Sequence, residues 1–457
     1  MMRSAAPVIP LVDEGLGNSA YLLDLGDGRA LAVDVSRDVR SALRAARERG
    51  LRIAYAADTH LHADFVTGVR DLAAVSGDLR ILASAEAGLE YPHTALHDGE
   101  LIDLGGLSLQ ALATPGHTPE HLSLLVRDGS RILGVFTGGA LIVGSVARTD
   151  LIDPEQTDAL SRALYRSLHQ RLLTLPDDAA VWPTHGAGSF CSAPPGAERT
   201  STIGRERATN PLLGAPDQDT FVDRLTAGLG SYPDYFLRLR EVNRHGPPAD
   251  SGEPVLTPLP VDDVRRLAAQ GAEIIDARPV AQFAAGHVPG ALSIALRPAF
   301  ASWLGWLVSE QRPLVVVLDE DQDGAELAWQ CRKVGYERVA GVLSGGMKAW
   351  RAASLPVRGL ATTDAAQLAD PLLDVRQDAE FDAGHLPHAL HIELGSLHQH
   401  LDDIPREALT VMCGHGERAA TAASLLERAG WHDLRVVVGG GAEEWAKAGG
   451  HALTHGR

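Results

Sequence analysis

One cysteine near the end of the chain stands where a thiol could act as a nucleophile. Cys413 follows an apolar run, residues 409–412, that predicts a buried strand, and it precedes residues 418–430, whose apolar spacing predicts a helix. The start of a helix offers unpaired N–H groups and a partial positive charge, and Arg418 adds a fixed cation. These features favour the thiolate, which is the nucleophilic form. The sequence therefore predicts that Cys413 and Arg418 are catalytic.

The loop between these two residues is short and rich in glycine. Glycine lets a backbone curl so that several N–H groups point at one bound group. A loop of this length suits one extra sulfur atom on the cysteine, whereas a tetrahedral phosphate needs a longer one. The predicted substrate-binding residues of the loop are Gly414, His415, Gly416 and Glu417. His415 is interpreted either as a residue that steers an acceptor or as a histidine that faces solvent.

The motif Cys-x-x-Gly-x-Arg-Ala, residues 413–419, resembles the active loop of rhodanese sulfurtransferases. The resemblance implies that Cys413 takes a sulfane sulfur, holds it as a persulfide and passes it to an acceptor. It also implies small-molecule partners, with thiosulfate or glutathione persulfide as sulfur donors and glutathione or sulfite as acceptors. The sequence does not decide between these donors and acceptors.

The composition limits the class of protein. The chain has 457 residues, a formal net charge of -18 and three cysteines that lie far apart. Such acidity argues against binding to nucleic acid or to anionic membranes, and no apolar run approaches the length of a membrane helix. We expect a cytoplasmic protein with reduced thiols. Whether the chain forms a homo-oligomer is left open.

Two turn-rich segments, residues 243–254 and 354–360, are typical of linkers. They divide the chain into three predicted domains, which comprise residues 1–245, 255–355 and 360–457.

The second and third domains repeat the same motifs. In each copy an apolar run ends in Asp-x-Arg, at Asp276 and Asp374, and a Gly-His-x-Pro turn follows. Strands that alternate with helices predict a small α/β domain with a parallel sheet in each copy. The motifs resemble rhodanese domains over their whole length. We interpret each Asp-x-Arg pair as a structural ion pair that is buried.

The earlier of these two copies lacks the reactive cysteine. Leu318 or Asp319 stands where Cys413 stands in the later copy, and several carboxylates follow. Carboxylates cannot carry sulfur and would repel a bound anion. Residues 255–355 are therefore predicted to form a non-catalytic rhodanese-like domain, with Cys331 in its core.

Histidines that follow apolar runs indicate a metal site in the first domain. His60 and His62 lie with Asp64 in a His-x-His-x-Asp motif, and His117 and His185 lie on later turns. Imidazoles and carboxylates at such spacings are typical metal ligands. The pattern resembles the metallo-β-lactamase superfamily, which implies an αββα sandwich. The predicted fold class is thus α/β, with this sandwich followed by two α/β rhodanese domains.

Within that superfamily the first domain resembles the glutathione-persulfide dioxygenases. The segments that carry the resemblance are residues 116–121, 148–151 and 186–191. It implies one Fe(II) held by two histidines and a carboxylate, at His60, His117 and the position of Gly139. It also implies that Arg148 meets the glutathione carboxylate. The domain order resembles bacterial fusions that detoxify sulfide-derived persulfides.

Two departures from the family pattern affect the metal. Phe65 replaces a histidine and Gly139 replaces the carboxylate, so the set of two histidines and one carboxylate is incomplete. The histidines that survive together are His60, His62 and His117, which predicts a three-histidine metal site that suits Zn²⁺.

Three interpretations of the first domain stay open. It is a metal-free scaffold, or it holds Fe(II) or Zn²⁺ weakly with altered activity, or it is a working dioxygenase in which a residue such as Asp64 replaces the lost ligand. If only the ligand is missing, Gly139→Asp should restore activity. Cys191 is either a buried cysteine or a persulfide relay. The favoured function of the chain is sulfur transfer through Cys413.

Overall fold

The computed structural model describes residues 8–190, 198–249, 252–368 and 371–456. Contacts divide the chain into two compact units. They comprise Met1–Glu253 with Arg332–Gly335, and Pro254–Cys331 with Tyr336–Arg457. The change from the first unit to the second falls inside the turn-rich segment that precedes residue 255. None of the helices in the described ranges is long and apolar enough to cross a bilayer.

Two six-stranded sheets form the centre of the first unit. The strands of one sheet, in spatial order, are β1 (Val8–Asp13), β2 (Asn18–Asp24), β3 (Arg29–Val33), β4 (Arg52–Ala57), β5 (Arg80–Ser84) and β6 (Thr94–Leu96). The strands of the other, also in spatial order, are β12 (Ser201–Thr202), β11 (Ala180–Pro183), β10 (Arg131–Gly138), β9 (Leu122–Asp128), β8 (Ser108–Ala113) and β7 (Leu101–Asp103). Each sheet mixes parallel and antiparallel pairs.

Side chains of these strands alternate between the two faces of each sheet. On β2, Tyr21 and Leu23 enter a core shared by both sheets, whereas Leu22 packs with the helices on the outer face. Val135 on β10 likewise packs on an outer helical layer, and Phe136 points between the sheets. The helices of this unit are α1 (Arg40–Glu48), α2 (Val69–Ser76), α3 (Thr157–Ser167), α4 (Ile203–Thr209), α5 (Gln218–Ala227) and α6 (Tyr235–His245). The predicted αββα sandwich is confirmed.

Two five-stranded parallel sheets organise the second unit. The first, in spatial order, contains β13 (Pro258–Leu259), β17 (Val339–Leu343), β16 (Leu314–Val317), β14 (Glu273–Asp276) and β15 (Leu292–Ser293). The second contains β18 (Ala361–Thr363), β22 (Leu434–Val437), β21 (Leu409–Met412), β19 (Leu372–Asp374) and β20 (Leu390–His391). Position by position the two sheets have the same strand order, and this confirms the internal repeat.

Helices connect the parallel strands of both repeats. In the earlier repeat they are α7 (Val261–Ala269), α8 (Val280–Ala285), α9 (Phe300–Leu307), α10 (Gly324–Lys333) and α11 (Gly346–Ala352). In the later repeat they are α12 (Asp378–Ala383), α13 (Glu417–Arg428) and α14 (Ala442–Gly449). Strand and helix alternate as the sequence predicts, because a parallel pair of strands needs a long crossover.

The Asp-x-Arg motif forms the same buried ion pair in both repeats. In the later repeat Arg376 Nη2 donates to Asp374 Oδ2 at 2.7 Å and to the Gly384 carbonyl at 2.9 Å, and the aspartate is fully buried. Asp276 and Arg278 make the equivalent contacts in the earlier repeat. The pair therefore ties the end of a central strand to the turn that follows the next helix.

Loss of one such carboxylate should destabilise its own repeat. Asp374→Ala leaves Arg376 buried and without its counterion, so the free energy of unfolding should fall by roughly 3–5 kcal/mol. Urea unfolding followed by tryptophan fluorescence measures this, since six of the seven tryptophans belong to residues 254–331 and 336–457.

The matched control is Asp262→Ala. Asp262 pairs with Arg265 at 3.3 Å, but its side chain is 92% exposed, so the free energy should change by less than about 0.5 kcal/mol. Equal shifts in the two variants would contradict a structural role for the buried pair.

Candidate active cysteine and metal centre

Cys413 lies at the carboxyl end of β21, a buried strand in the interior of its sheet. The chain then turns sharply into α13, and Gly416 makes this turn with a φ of 106°. A Cβ at Gly416 would lie 3.1 Å from the Val437 carbonyl oxygen, so this position requires glycine. The Gly416 N–H donates to Cys413 Sγ at 3.1 Å. One loop amide therefore points at the sulfur of Cys413, a residue that is 1% exposed.

Arg418 stands in the first turn of α13, beside the cysteine loop. A Cβ at Gly414 would lie 3.8 Å from Arg418 Nη2, so the guanidinium borders the loop. It also binds Glu380 of α12 in a bidentate pair, with contacts of 2.6 and 2.8 Å. Partial burial opposes ionisation of Glu380, but Arg418 outweighs it and holds the pKa of Glu380 below its usual value.

The sequence analysis did not identify Glu380. A comparison of the two repeats could have identified this residue. In the earlier repeat, Gln282 lies as many residues after Asp276 as Glu380 lies after Asp374 in the later repeat. Likewise, Asp323 lies as many residues after β16 as Arg418 lies after β21. Both members of the ion pair therefore differ in the repeat that lacks the cysteine.

The cysteine loop borders a groove between the two repeats of the second unit. The groove has a volume of about 530 Å³, and His415 and Glu417 line it on the side of the later repeat. Arg297 and Gln322 line it on the side of the earlier repeat. His415 is exposed, so a small molecule that enters the groove can reach the loop.

The corresponding loop of the earlier repeat has no thiol, and one of its N–H groups is bonded to a side chain of the loop. Leu318 is buried at the position of the cysteine, and Gln322 accepts from the Asp319 N–H at 2.9 Å and donates to the Ala277 carbonyl at 2.8 Å. Cys331 is fully buried in α10, where burial raises the pKa of its thiol. Neither position offers an accessible nucleophile.

In the first unit, three histidines converge at the carboxyl ends of strands. His60 follows β4, His117 follows β8 and His185 follows β11, and one nitrogen of each lies within 4.8 Å of the others. All three are buried. Burial, with some repulsion between the neighbouring histidines, keeps the pKa of His60 and His117 well below the usual value. Neutral imidazoles of this kind fit a transition-metal ion.

His62 does not join this group, although the sequence analysis placed it there. Its Nε2 lies 3.3 Å from Asp34 Oδ1 and 3.6 Å from Asp58 Oδ1, and its ring stacks on Phe65 at 4.1 Å between centroids. Burial opposes a charge on the ring, but the two carboxylates outweigh it and raise the pKa of His62 to about 9. Asp34, Asp58 and His62 thus form a second group of possible ligands, whose ligand atoms lie within 4.8 Å of one another. The sequence analysis overlooked both aspartates, which follow β3 and β4 directly.

Gly139 occupies the position where the resemblance implies a carboxylate ligand. Its N–H donates to His121 Nε2 at 3.0 Å. A Cβ at this position would lie 2.4 Å from His117 Cδ2, so any side chain here must displace the His117 ring. A carboxylate added by Gly139→Asp would therefore have to displace the His117 ring, so more than one ligand position would change.

Arg148 is not available for the carboxylate of a ligand. It is 1% exposed, and its Nε and Nη2 each donate to Asp150 at 2.7 Å. The remaining donors reach the Phe190 and Gly230 carbonyls, and the guanidinium stacks over Tyr232. Arg148 therefore ties loops together. Cys191 lies outside the described residues.

Comparisons with known proteins agree with this architecture. The metallo-beta-lactamase superfamily matches residues 13–185, and the rhodanese-like domain matches residues 261–353 and 360–448. The persulfide dioxygenase ETHE1 of Homo sapiens is 35% identical over 36% of this chain and 59% of its own length. The protein of the same name from Bos taurus is 31% identical over 46% of this chain and 78% of its own length.

A solved structure extends the likeness beyond the first unit. A metallo-beta-lactamase from Staphylococcus aureus superposes with a TM-score of 0.66 and 27% identity, over 75% of this chain and 99% of its own. The chain therefore belongs to the metallo-beta-lactamase superfamily, with a domain like that of the ETHE1 persulfide dioxygenases followed by two rhodanese-like domains.

Proposed function

We propose that this protein is a sulfurtransferase that carries sulfane sulfur as a persulfide on Cys413. The observation that supports this most directly is the 3.1 Å contact from the Gly416 N–H to Cys413 Sγ at the start of α13. Backbone N–H groups and the helix dipole stabilise a negative charge on that sulfur without any rearrangement. Arg418, held beside the loop by Glu380, adds a cation of fixed position.

The reaction has two steps, each a displacement at sulfur. The Cys413 thiolate attacks the outer sulfur of a donor such as thiosulfate, a new S–S bond forms, and sulfite leaves with the electron pair of the broken bond. An acceptor thiolate, such as that of glutathione, then attacks the outer sulfur of the persulfide. That S–S bond breaks and its electron pair returns to Cys413. No oxidant is consumed.

The groove beside the loop supports small donors and acceptors. Its walls are largely apolar, and Arg297 of the earlier repeat contributes a cationic side chain. A small anionic donor can thus approach His415 while the acidic remainder of the protein excludes larger polyanions. In this proposal the earlier repeat shapes the site and carries no sulfur.

Cys413→Ser should abolish sulfur transfer, because a serine hydroxyl cannot form the persulfide. The measurement is thiocyanate production from thiosulfate and cyanide, with glutathione as an alternative acceptor. Cys331→Ser is the matched control, since Cys331 is fully buried in α10, and it should keep the activity of the wild type. Full activity in Cys413→Ser would contradict the proposal.

Arg418 and Glu380 should affect the thiolate in opposite directions. Arg418→Gln removes the cation and should slow the alkylation of Cys413 by iodoacetamide at pH 7 by roughly tenfold, which corresponds to about 1.4 kcal/mol. Glu380→Gln leaves the cation without its counterion and should accelerate alkylation. Mass spectrometry of the peptide that contains Cys413 follows this thiol separately from the other two.

Slower alkylation in both variants would show that the pair acts only by holding the loop together. Circular dichroism of the two variants controls for loss of fold.

A second candidate function is oxygenation of a low-molecular-weight persulfide in the first unit. The similarity to the ETHE1 persulfide dioxygenases favours it. The absence of a carboxylate at Gly139 weighs against it, because oxygen activation at Fe(II) typically uses two histidines and one carboxylate. Oxygen uptake with glutathione persulfide and added Fe(II) tests it. Uptake that is lost in His117→Gln would support this function, and no uptake in the wild type would exclude it.

A further inference from the structure

Two charged side chains of opposite sign line the groove beside Cys413 without pairing. Arg297 lies on the wall formed by the earlier repeat, and Glu417 lies on the wall formed by the later repeat. Both are half-buried. Within the described ranges, neither side chain makes a hydrogen bond or an ion pair, either with the other or with a third residue. Each charge is therefore available to a ligand in the groove.

Contacts of α13 hold the two walls in place. Glu417 is the first residue of this helix, and further along it Ser424 Oγ accepts from the Ser293 N–H of the earlier repeat at 3.1 Å. Glu427 of the same helix pairs with a buried histidine of the earlier repeat at 2.9 Å. Arg297 follows shortly after Ser293. Both charges are thus in position before a ligand arrives, so binding does not require them to reorganise.

The two charges occur at positions where the repeats differ. Gly395 lies as many residues after β20 as Arg297 lies after β15, so the later repeat has no cation there. Gln322 lies as many residues after β16 as Glu417 lies after β21, and it makes hydrogen bonds within its own loop. The groove therefore receives its free cation from one repeat and its free carboxylate from the other.

A groove that offers one cation and one carboxylate fits a ligand that carries one charge of each sign. The α-ammonium and α-carboxylate of an amino acid, here called its head group, form such a pair. The ammonium also offsets the repulsion that a carboxylate alone meets in a protein of formal net charge -18. The volume of about 530 Å³ lies in the range of pockets that enclose molecules larger than a single amino acid.

We propose that Arg297 and Glu417 select an acceptor thiol that carries an amino-acid head group. Arg297 binds the carboxylate, Glu417 binds the ammonium, and a peptide-sized thiol such as glutathione binds better than free cysteine. The inference rests on the sulfur transfer proposed for Cys413 and concerns its second step. There the thiolate of the bound acceptor attacks the outer sulfur of the persulfide, and the electron pair of the broken S–S bond returns to Cys413.

A panel of acceptor thiols tests this selection by charge. Glutathione and cysteine carry both charges of the head group, cysteamine carries only the ammonium, 3-mercaptopropionate carries only the carboxylate, and 2-mercaptoethanol carries neither. The full chain is assayed with thiosulfate as the donor. For each thiol, kcat/KM of a variant is divided by that of the wild type, and this ratio cancels the intrinsic reactivity of the thiol. In a two-step displacement, kcat/KM for the acceptor does not include the donor step.

Arg297→Gln should lower kcat/KM about tenfold for the thiols that carry a carboxylate, because each loses one hydrogen bond between charged groups in a groove open to solvent. Cysteamine and 2-mercaptoethanol should be affected equally and less. Glu417→Gln should lower kcat/KM to a similar degree for the thiols that carry an ammonium, and should spare 3-mercaptopropionate. In both variants the loss should lie in KM. Arg265→Gln, at an exposed position of α7, should give ratios near one throughout.

A uniform loss across the panel in Arg297→Gln or Glu417→Gln would show that the residue only supports the groove, and would contradict the inference. A KM for cysteine as low as that for glutathione would contradict the assignment of a peptide-sized thiol. Thiocyanate production from thiosulfate and cyanide separates this inference from the proposed function. If the wild type forms no thiocyanate, sulfur transfer itself is wrong, whereas thiocyanate formation without selection among the thiols would contradict only the roles of Arg297 and Glu417.

Discussion

The Asp34 carboxylate is the constraint on which the histidine site of the first unit depends. It accepts from the Thr59 N–H at 2.7 Å, from the Thr59 and Thr184 hydroxyls, and it pairs with His62. One side chain therefore joins the loops that follow β3, β4 and β11. Asp34 has a φ of 53°, a conformation that costs a non-glycine residue roughly 1–3 kcal/mol, and these contacts compensate for it. Without them the Thr59 hydroxyl would not be held beside the His60 ring.

A carboxylate has the same kind of role in the second unit. Asp374 orders the end of β19 through Arg376, and Glu380 orders Arg418 beside Cys413. Neither acid needs to touch a substrate. Each holds a cation that would otherwise be mobile, and a charge of fixed position stabilises a developing anion without the cost of reorganisation. In both units the candidate site lies at the carboxyl ends of strands, where loops from separate parts of the chain meet.

Patterns that repeat in the sequence could be predicted, and pairings between distant residues could not. The two Asp-x-Arg copies and the cysteine between strand and helix both depend on near neighbours. The partner of Arg418 lies 38 residues away, at Glu380. The spacing of His62 suits a metal ligand and an ion pair equally well, and it does not show that Asp34 and Asp58 lie beside the ring. Burial of Arg148 likewise follows from the packing of loops that the sequence does not place.

The earlier loop differs from the later one by more than a thiol. Gln282 and Asp323 stand in place of the two members of the ion pair, and Gln322 bonds to the Asp319 N–H and the Ala277 carbonyl. A cysteine at position 318 would thus lie beside Asp319 and its neighbouring acids, where a thiolate is repelled. The first unit departs from the pattern of its family in a similar way. A side chain at Gly139 would now collide with His117, and His62 pairs with Asp34 and Asp58. In each unit several coupled contacts, rather than one residue, determine which chemistry the strand ends can support.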